Sequence, residues 1–378
     1  MASTVIIGPA HPLRGGLASF DERLTRAFME AGWDAEIFTF SLQYPGFLFP
    51  GTTQYSDEPA PSNLNLKVCI NSINPFNWIR IGNLLRKKKP DLVIVRYWLP
   101  FMGPCLGTIL NRVKKNNFTR IICIADNVIP HEKRPGDKWF TRYFLKSPHA
   151  FITMSEKVNN DLLTFKPEAK FKIVDHPLYD NFGDKIDVSS ARDFLEISKT
   201  AKIALFFGFI RKYKGLDLLI KAFADPILKN SEIKLVVAGE FYEDAQPYLD
   251  LITTLNVQDK IILRTHFIAD SEVKYYLSSC DVVVQPYKNA TQSGVTPLAY
   301  HFEKPMIVTN VGALPQLVPH EKVGLVCEPN AKDIASAIKH FFDYPPGHFQ
   351  KNLLEEKKKL SWPALISSIL SLQHDLEK

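Results

Sequence analysis

Apolar residues along this chain gather in short β-branched runs, and most runs are followed by a stretch whose apolar positions recur at helical spacing. In the first half these are "STVIIG" with "LASFDERLTRAFMEAG", "DLVIVR" with "PCLGTILNRVKK", then "RIICIA", "AFITMS" with "EKVNNDLLTF", and "FKIVDH". Such alternation predicts a parallel sheet with crossover helices. A second series opens at "KIALFFG" and continues through "LDLLIKAFA", "IKLVVAG", "YLDLITTL", "KIILRTHF", "EVKYYLSS", "DVVVQPY", "MIVTN" and "KDIASAIKHFF". Two α/β units in tandem are therefore expected, with the break in the polar stretch between Tyr179 and Lys199. The tail "SWPALISSILSLQHDLEK" reads as an amphipathic final helix.

The length of 378 residues is too great for one ordinary core, and 46% hydrophobic with 23% charged residues describes a globular chain. A formal net charge of +6 favours small anionic ligands or an acidic membrane surface and does not call for nucleic acid. The five cysteines, Cys69, Cys105, Cys123, Cys280 and Cys327, are odd in number, far apart and without metal-binding spacing. They read as free thiols in a reducing compartment. "MASTVIIGPAHP" lacks a basic segment ahead of its short apolar core, and no run reaches the ~18 apolar residues of a membrane span, so a cytoplasmic protein is expected.

Ligands of open parallel sheets sit beyond the carboxyl ends of the strands, so those ends are where chemistry is sought. After the first strand, Gly15-Gly16 precedes a helix, and this is either a phosphate seat or an ordinary turn. The strands taken as third and fourth end in "RYWLPFMGP" and "ADNVIPHEKRP", which is expected to project Arg96, Asp126, Asn127, His131 and Glu132 into a cleft. The run "LLRKKKPD" is either a solvated helix end or an attachment to an anionic leaflet. In the second series, Arg211, Lys212 and Lys214 stand before a helix that starts near Gly215, where cations are normally disfavoured unless an anion such as pyrophosphate balances them. Gly239 permits close backbone approach beside Glu240, and the backbone at His266 and Phe267 is placed to meet a flat base. Between Lys288 and Phe302 no acidic residue occurs, and the turn Ser293-Gly294 opens a short helix with Val295 and Thr296. Together with Gln292 these residues read as a cradle for phosphate or sugar.

In order and spacing, "FFGFIRKYKGLDLLIKAF", "VVAGE", "CDVVVQPY" and "SGVTPLAYHFEKPMIVTNVGALPQLV" resemble the C-terminal half of the retaining glycosyltransferases of family 4. "GPAHPLRGGLASFDERL" and "PDLVIVRYWLP" fit the N-terminal half, and the bacterial subgroup that builds surface polysaccharide or lipid-linked glycans is the most similar. The resemblance implies the GT-B fold, two Rossmann-like doubly wound parallel-sheet domains facing across a cleft. Residues 1–180 would bind the acceptor, 181–358 the donor, and 359–378 would form a helix returning to the first domain. It also implies a nucleotide-diphosphate sugar (UDP- or GDP-sugar) as donor, a glycan or lipid-linked acceptor, and neither cofactor nor metal.

Carried over residue by residue, Lys214 matches the lysine that holds the donor diphosphate. The companion arginine falls at Phe209, so Arg211 is the candidate replacement. Gly16 matches the glycine that approaches donor and acceptor. The family histidine falls at Asp126, which leaves His131 as a nearby candidate. Arg14, Arg96, Trp98, Asn127 and Glu132 are the candidates for acceptor contact. The paired glutamates of the family fall at Thr291 and Ala299, neither of which is acidic. A degenerate binding protein without turnover, or a nucleotide-sugar epimerase of the same two-domain form, are the alternative readings.

Overall fold

The computed structural model describes residues 1–46, 49, 51–130, 134–290 and 293–377. They form two units, Met1–Pro177 with Ser361–Lys378, and Leu178–Leu360.

The first unit is built on a seven-stranded parallel sheet of β1 (Ser3–Ile7), β2 (Asp34–Leu42), β3 (Asn65–Asn71), β4 (Leu92–Tyr97), β5 (Arg120–Ala125), β6 (Ala150–Thr153) and β7 (Lys170–Ile173), in the order β3-β2-β1-β4-β5-β6-β7. The central strands read as unbroken apolar runs because helices cover both faces of a parallel sheet, and Val5, Ile6, Ile7, Val93 and Val95 are wholly buried. Each such side chain stabilises the fold by roughly 1.5–3 kcal/mol. Three strands, β1, β2 and β3, precede "DLVIVR", so it and "RIICIA" are the fourth and fifth strands, not the third and fourth. β2 interleaves polar residues among its apolar ones, and β3 is a half-exposed edge strand, so neither shows a plain apolar run.

The helix Pro75–Lys88 starts where Asn74 accepts hydrogen bonds from the amides of Phe76 and Asn77, with Pro75 in the first turn. The final helix Trp362–Asp375 packs on the helix Gly16–Glu30, Trp362 lying 5.0 Å from the Phe20 ring and beneath the Arg23 guanidinium. Lys172 donates to the Ser371 hydroxyl at 2.7 Å, tying the same helix to β7.

The second unit is a six-stranded parallel sheet of β8 (Lys202–Phe207), β9 (Ile233–Ala238), β10 (Ile261–Arg264), β11 (Val282–Gln285), β12 (Met306–Thr309) and β13 (Gly324–Cys327), in the order β10-β9-β8-β11-β12-β13. Both sheets reverse their strand order once, between β1 and β4 and between β8 and β11, which is the doubly wound Rossmann topology. The expectation of two α/β parallel-sheet domains is borne out.

Candidate functional site

In the second unit, by the general rule for open parallel sheets, the reversal between β8 and β11 places a crevice at their carboxyl ends, and the loops after these strands are fastened to each other there. The Lys288 amide donates to the Tyr213 carbonyl at 2.7 Å. Gly215, at φ +70°, sits where a Cβ would stand only 2.0 Å from the Pro286 carbonyl oxygen, so no other residue fits. Gly208, at φ +93°, directly follows β8, and a Cβ on it would lie 3.3 Å from Lys214 Nζ and 3.6 Å from Val295 Cγ2. Gly208, Lys214 and Val295 therefore share one small volume.

Lys214 supplies the charge in this crevice. Burial, joined by the smaller effect of the neighbouring Arg211 charge, draws its ammonium down to about 8. Its Nζ lies 5.8 Å from the centre of the Tyr287 ring, and no carboxylate among the described residues pairs with it. A half-buried cation without a counter-charge among the described residues is suited to an incoming anion. Arg211 is laid over Tyr242 at 5.2 Å. Phe209, at the arginine position of the resemblance, stacks on Tyr242 at 4.1 Å and faces Phe267 at 6.3 Å. An aromatic surface thus borders the two cations.

In the Ser293-Gly294 turn the side-chain hydroxyls are held within the unit. The Ser293 hydroxyl donates to Gln285 Oε1 at 2.6 Å, accepts from the Tyr287 hydroxyl at 3.2 Å and caps the Val295 amide. The Thr296 hydroxyl donates to the same Gln285 oxygen at 3.1 Å. Both side chains are turned inward, which leaves Gly294, exposed at the turn, as its outward-facing residue. Gln285 was missed by sequence reasoning, although it is the polar residue that closes an apolar strand. It is 1% exposed, and its Nε2 has no hydrogen-bond partner among the described residues.

Gly239, at φ +145°, lets the β9 end pass close to Gly208, where a Cβ would be 2.2 Å from the Gly208 carbonyl oxygen. The Glu240 carbonyl accepts from the Ile210 amide at 2.8 Å, and the Glu240 residue is buried. His266 is exposed beyond β10. Ala299 is fully buried in the helix Val295–His301. Gln292 and Thr291 lie outside the described residues, as do His131 and Glu132 of the first unit.

In the first unit, Arg96 and Asp126 do not project from the strand ends. Arg96 is 2% exposed; its Nε and Nη2 each reach an Asp126 oxygen at 2.5 Å, Nη1 reaches Asp21 Oδ1 at 3.4 Å, and its Cζ lies 3.8 Å from the Phe20 ring centre. Two carboxylates beside one guanidinium hold the arginine inside the unit. Burial raises the Asp21 carboxyl well above the usual range, against the opposing pull of Arg96. His176 packs edge-on to Phe20 and donates from Nδ1 to the Pro177 carbonyl at 2.7 Å, and burial pulls its ring down to about 3. Gly15, at φ +100°, caps the helix Gly16–Glu30. Arg14 reaches the Thr52 hydroxyl, Trp98 donates from its indole nitrogen to the Tyr44 hydroxyl at 2.5 Å, and Asn127 is half-buried next to Asp126. No group of three or more potential metal ligands occurs among the described residues.

Residues 187–360, just under half of the chain, match the family described as Glycosyl transferases group 1. An uncharacterized glycosyltransferase of Methanocaldococcus jannaschii is 28% identical over 56% of this chain and 56% of its own. A GDP-mannose:glycolipid 4-beta-D-mannosyltransferase of Xanthomonas campestris is 30% identical over 54% of this chain and 53% of its own. The chain thus spans about half the length of these two curated relatives. Among solved structures, sucrose-phosphate synthase from Thermosynechococcus elongatus aligns over 100% of this chain and 99% of its own with a TM-score of 0.77 at 17% identity. Anabaena HepE in complex with UDP-glucose aligns over 99% and 100% with a TM-score of 0.76 at 13% identity. Over residues 187–360 the chain is thus similar to the group 1 glycosyl transferases, and its whole length carries the GT-B fold of two Rossmann-like domains.

Proposed function

We propose that the protein is a retaining glycosyltransferase that moves a sugar from a nucleotide-diphosphate sugar to a glycan or lipid-linked acceptor in cell-envelope polysaccharide synthesis. The observation that carries this reading is Lys214, a half-buried ammonium with lowered basicity and no carboxylate partner among the described residues, beside the strand-order reversal of the second unit. Relatives named for sugar transfer to glycolipid, to inositol 3-phosphate and to diacylglycerol support the reaction class. HepE structures with UDP support a nucleoside diphosphate as the common ligand chemistry. In this reading the second unit holds the donor and the first the acceptor. Free, well-separated cysteines support a reducing, cytoplasmic setting, which cell fractionation tests. No helix among the described residues is long and apolar enough to cross a membrane.

In the proposed step the acceptor oxygen bonds to the anomeric carbon while the bond from that carbon to the diphosphate oxygen breaks. The acceptor proton passes to the departing phosphate oxygen, so no protein base is required. Lys214 and Arg211 stabilise the negative charge that grows on the diphosphate, a task worth roughly 10²–10³ in rate for a single preorganised donor. The aromatic surface of Phe209, Tyr242 and Phe267 is suited to a flat base.

The test is a thermal-shift screen of UDP, GDP, ADP, CMP and dTDP and their sugars against the native protein and Lys214→Ala. A shift for one nucleotide that vanishes in the variant supports the reading, and the absence of any shift overturns it. The anomeric configuration of the product, read by NMR, decides retention, which matters because the relatives' names include both alpha and beta products. A second reading, a binding protein without turnover, is favoured by the lack of acidic residues between Lys288 and Phe302. Release of free sugar or transfer from the bound nucleotide sugar separates the two.

A further inference from the structure

Charge is placed unevenly along this chain. Residues 59–125 contain eleven Lys and Arg against one carboxylate, Asp91, a formal balance of +10, and the overall +6 therefore leaves −4 for everything else. Asp91 is occupied, its Oδ2 accepting from both the amide and the hydroxyl of Ser3 at 2.8 Å.

The helix Pro75–Lys88 lies in this segment and turns Ile81, Gly82 and Leu85 into the first unit. On its opposite side Phe76, Arg80, Leu84 and Lys87 fall within about 80° of arc at 100° per residue. Phe76 is 84% exposed and Leu84 50%, and Ile73, also 50% exposed, stands just ahead of the cap. Lys88 is paired with Glu36 at 2.8 Å, but Arg80, Arg86, Lys87 and Lys89 have no carboxylate partner among the described residues. A stripe that interleaves bare apolar side chains with unpaired cations has no reason to face water alone.

We propose that this helix face docks on an anionic lipid bilayer, with Phe76, Leu84 and Ile73 entering the acyl boundary and the four unpaired cations meeting lipid phosphates. A soluble polyanion would answer the cations and leave Phe76 in water. A second copy of the chain packed face to face across a two-fold axis would set cation against cation. Only a bilayer offers both phases side by side. The inference does not depend on the transferase reading, because the helix belongs to the first unit and the Lys214 crevice to the second.

The test is flotation of the full chain with phosphatidylcholine vesicles with and without phosphatidylglycerol, at low and high salt. The native protein is expected to float with anionic vesicles only, and less at high salt. Arg80→Gln with Lys87→Gln, and separately Phe76→Ser with Leu84→Ser, are each expected to weaken binding by about tenfold or more. Lys332→Gln, an exposed cation of the second unit, serves as the unchanged control. Melting curves confirm that each variant is folded. The inference is overturned if no flotation occurs with anionic vesicles, or if the charge and apolar variants float like the native protein. It is equally overturned if the charge pair matters and the apolar pair does not, which points to a soluble polyanion or an acidic protein. A nucleotide thermal shift on the same samples keeps the two readings apart, since its loss with flotation retained counts only against the donor site.

Discussion

Arg96 and Asp126 meet through two contacts of 2.5 Å, Nε to Oδ2 and Nη2 to Oδ1, inside the first unit and away from solvent. Removing one member leaves a buried charge without its partner. Arg96→Met is expected to destabilise the first unit by about 3–5 kcal/mol. Tryptophan fluorescence during urea denaturation measures this cleanly, because Trp33, Trp78, Trp98, Trp139 and Trp362 all belong to the first unit. A loss under about 1 kcal/mol would mean that the pair does not hold the unit together.

His176 gives the same unit an acid sensitivity. Its folded ring titrates near 3, below the ordinary 6.5, so the unfolded chain takes up the proton first as pH falls. Stability is therefore unaffected above 6.5 and declines between 6.5 and about 3, by at most about 1.4 kcal/mol per pH unit. His176→Gln is expected to flatten that decline in tryptophan-detected melts between pH 7 and pH 4. An unchanged slope would assign the acid sensitivity to other groups.

Lys214 makes the opposite kind of prediction. An anion binds the protonated ammonium, and the free protein loses that proton as pH rises through about 8. Affinity for the nucleoside diphosphate found in the screen should hold below 8 and fall by up to about tenfold per pH unit above it. Lys214→Arg should bind with little pH dependence over the same range. Calorimetric titration at pH 7 and pH 9 checks both, and a flat native profile would remove Lys214 from the binding site.

Gly215 tests the seam between the β8 and β11 loops. Gly215→Ala forces a Cβ towards the Pro286 oxygen at φ +70° and is expected to cost about 1–3 kcal/mol. Nucleotide affinity should fall with it, since the same seam sets where Lys214 stands. Thermal denaturation together with the nucleotide titration reads both effects. An alanine variant that binds and melts like the native protein would show that the loops are not fixed to one another.

The alternation of strands and helices was legible because a parallel sheet writes its central strands as apolar runs. β2 and β3 were not, since polar residues interrupt the first and the second is a half-exposed edge. β13, Gly324–Cys327, is four residues long and half-buried at its far end, too short to stand out. Lys214 and Arg211 could be found because cations before a helix start break the usual charge rule. Arg96 and Asp126 were read as projecting because sequence marks the end of a strand but not the direction in which its last side chains are shut away. Gln285 joins Ser293 and Thr296 only through the fold of the loop between them, so no spacing announces it.

The packing of Trp362 on Phe20 gives this protein an unusual order of completion. A ribosome makes the first unit's sheet early and its last helix about 180 residues afterwards, roughly 10–40 s later at ordinary rates of synthesis. During that wait the second unit has everything it needs, while the nascent first unit carries an uncovered apolar flank. The unit that begins translation is thus the one that depends on its end, and chains cut short near residue 360 should be captured by chaperones through their first half and not their second.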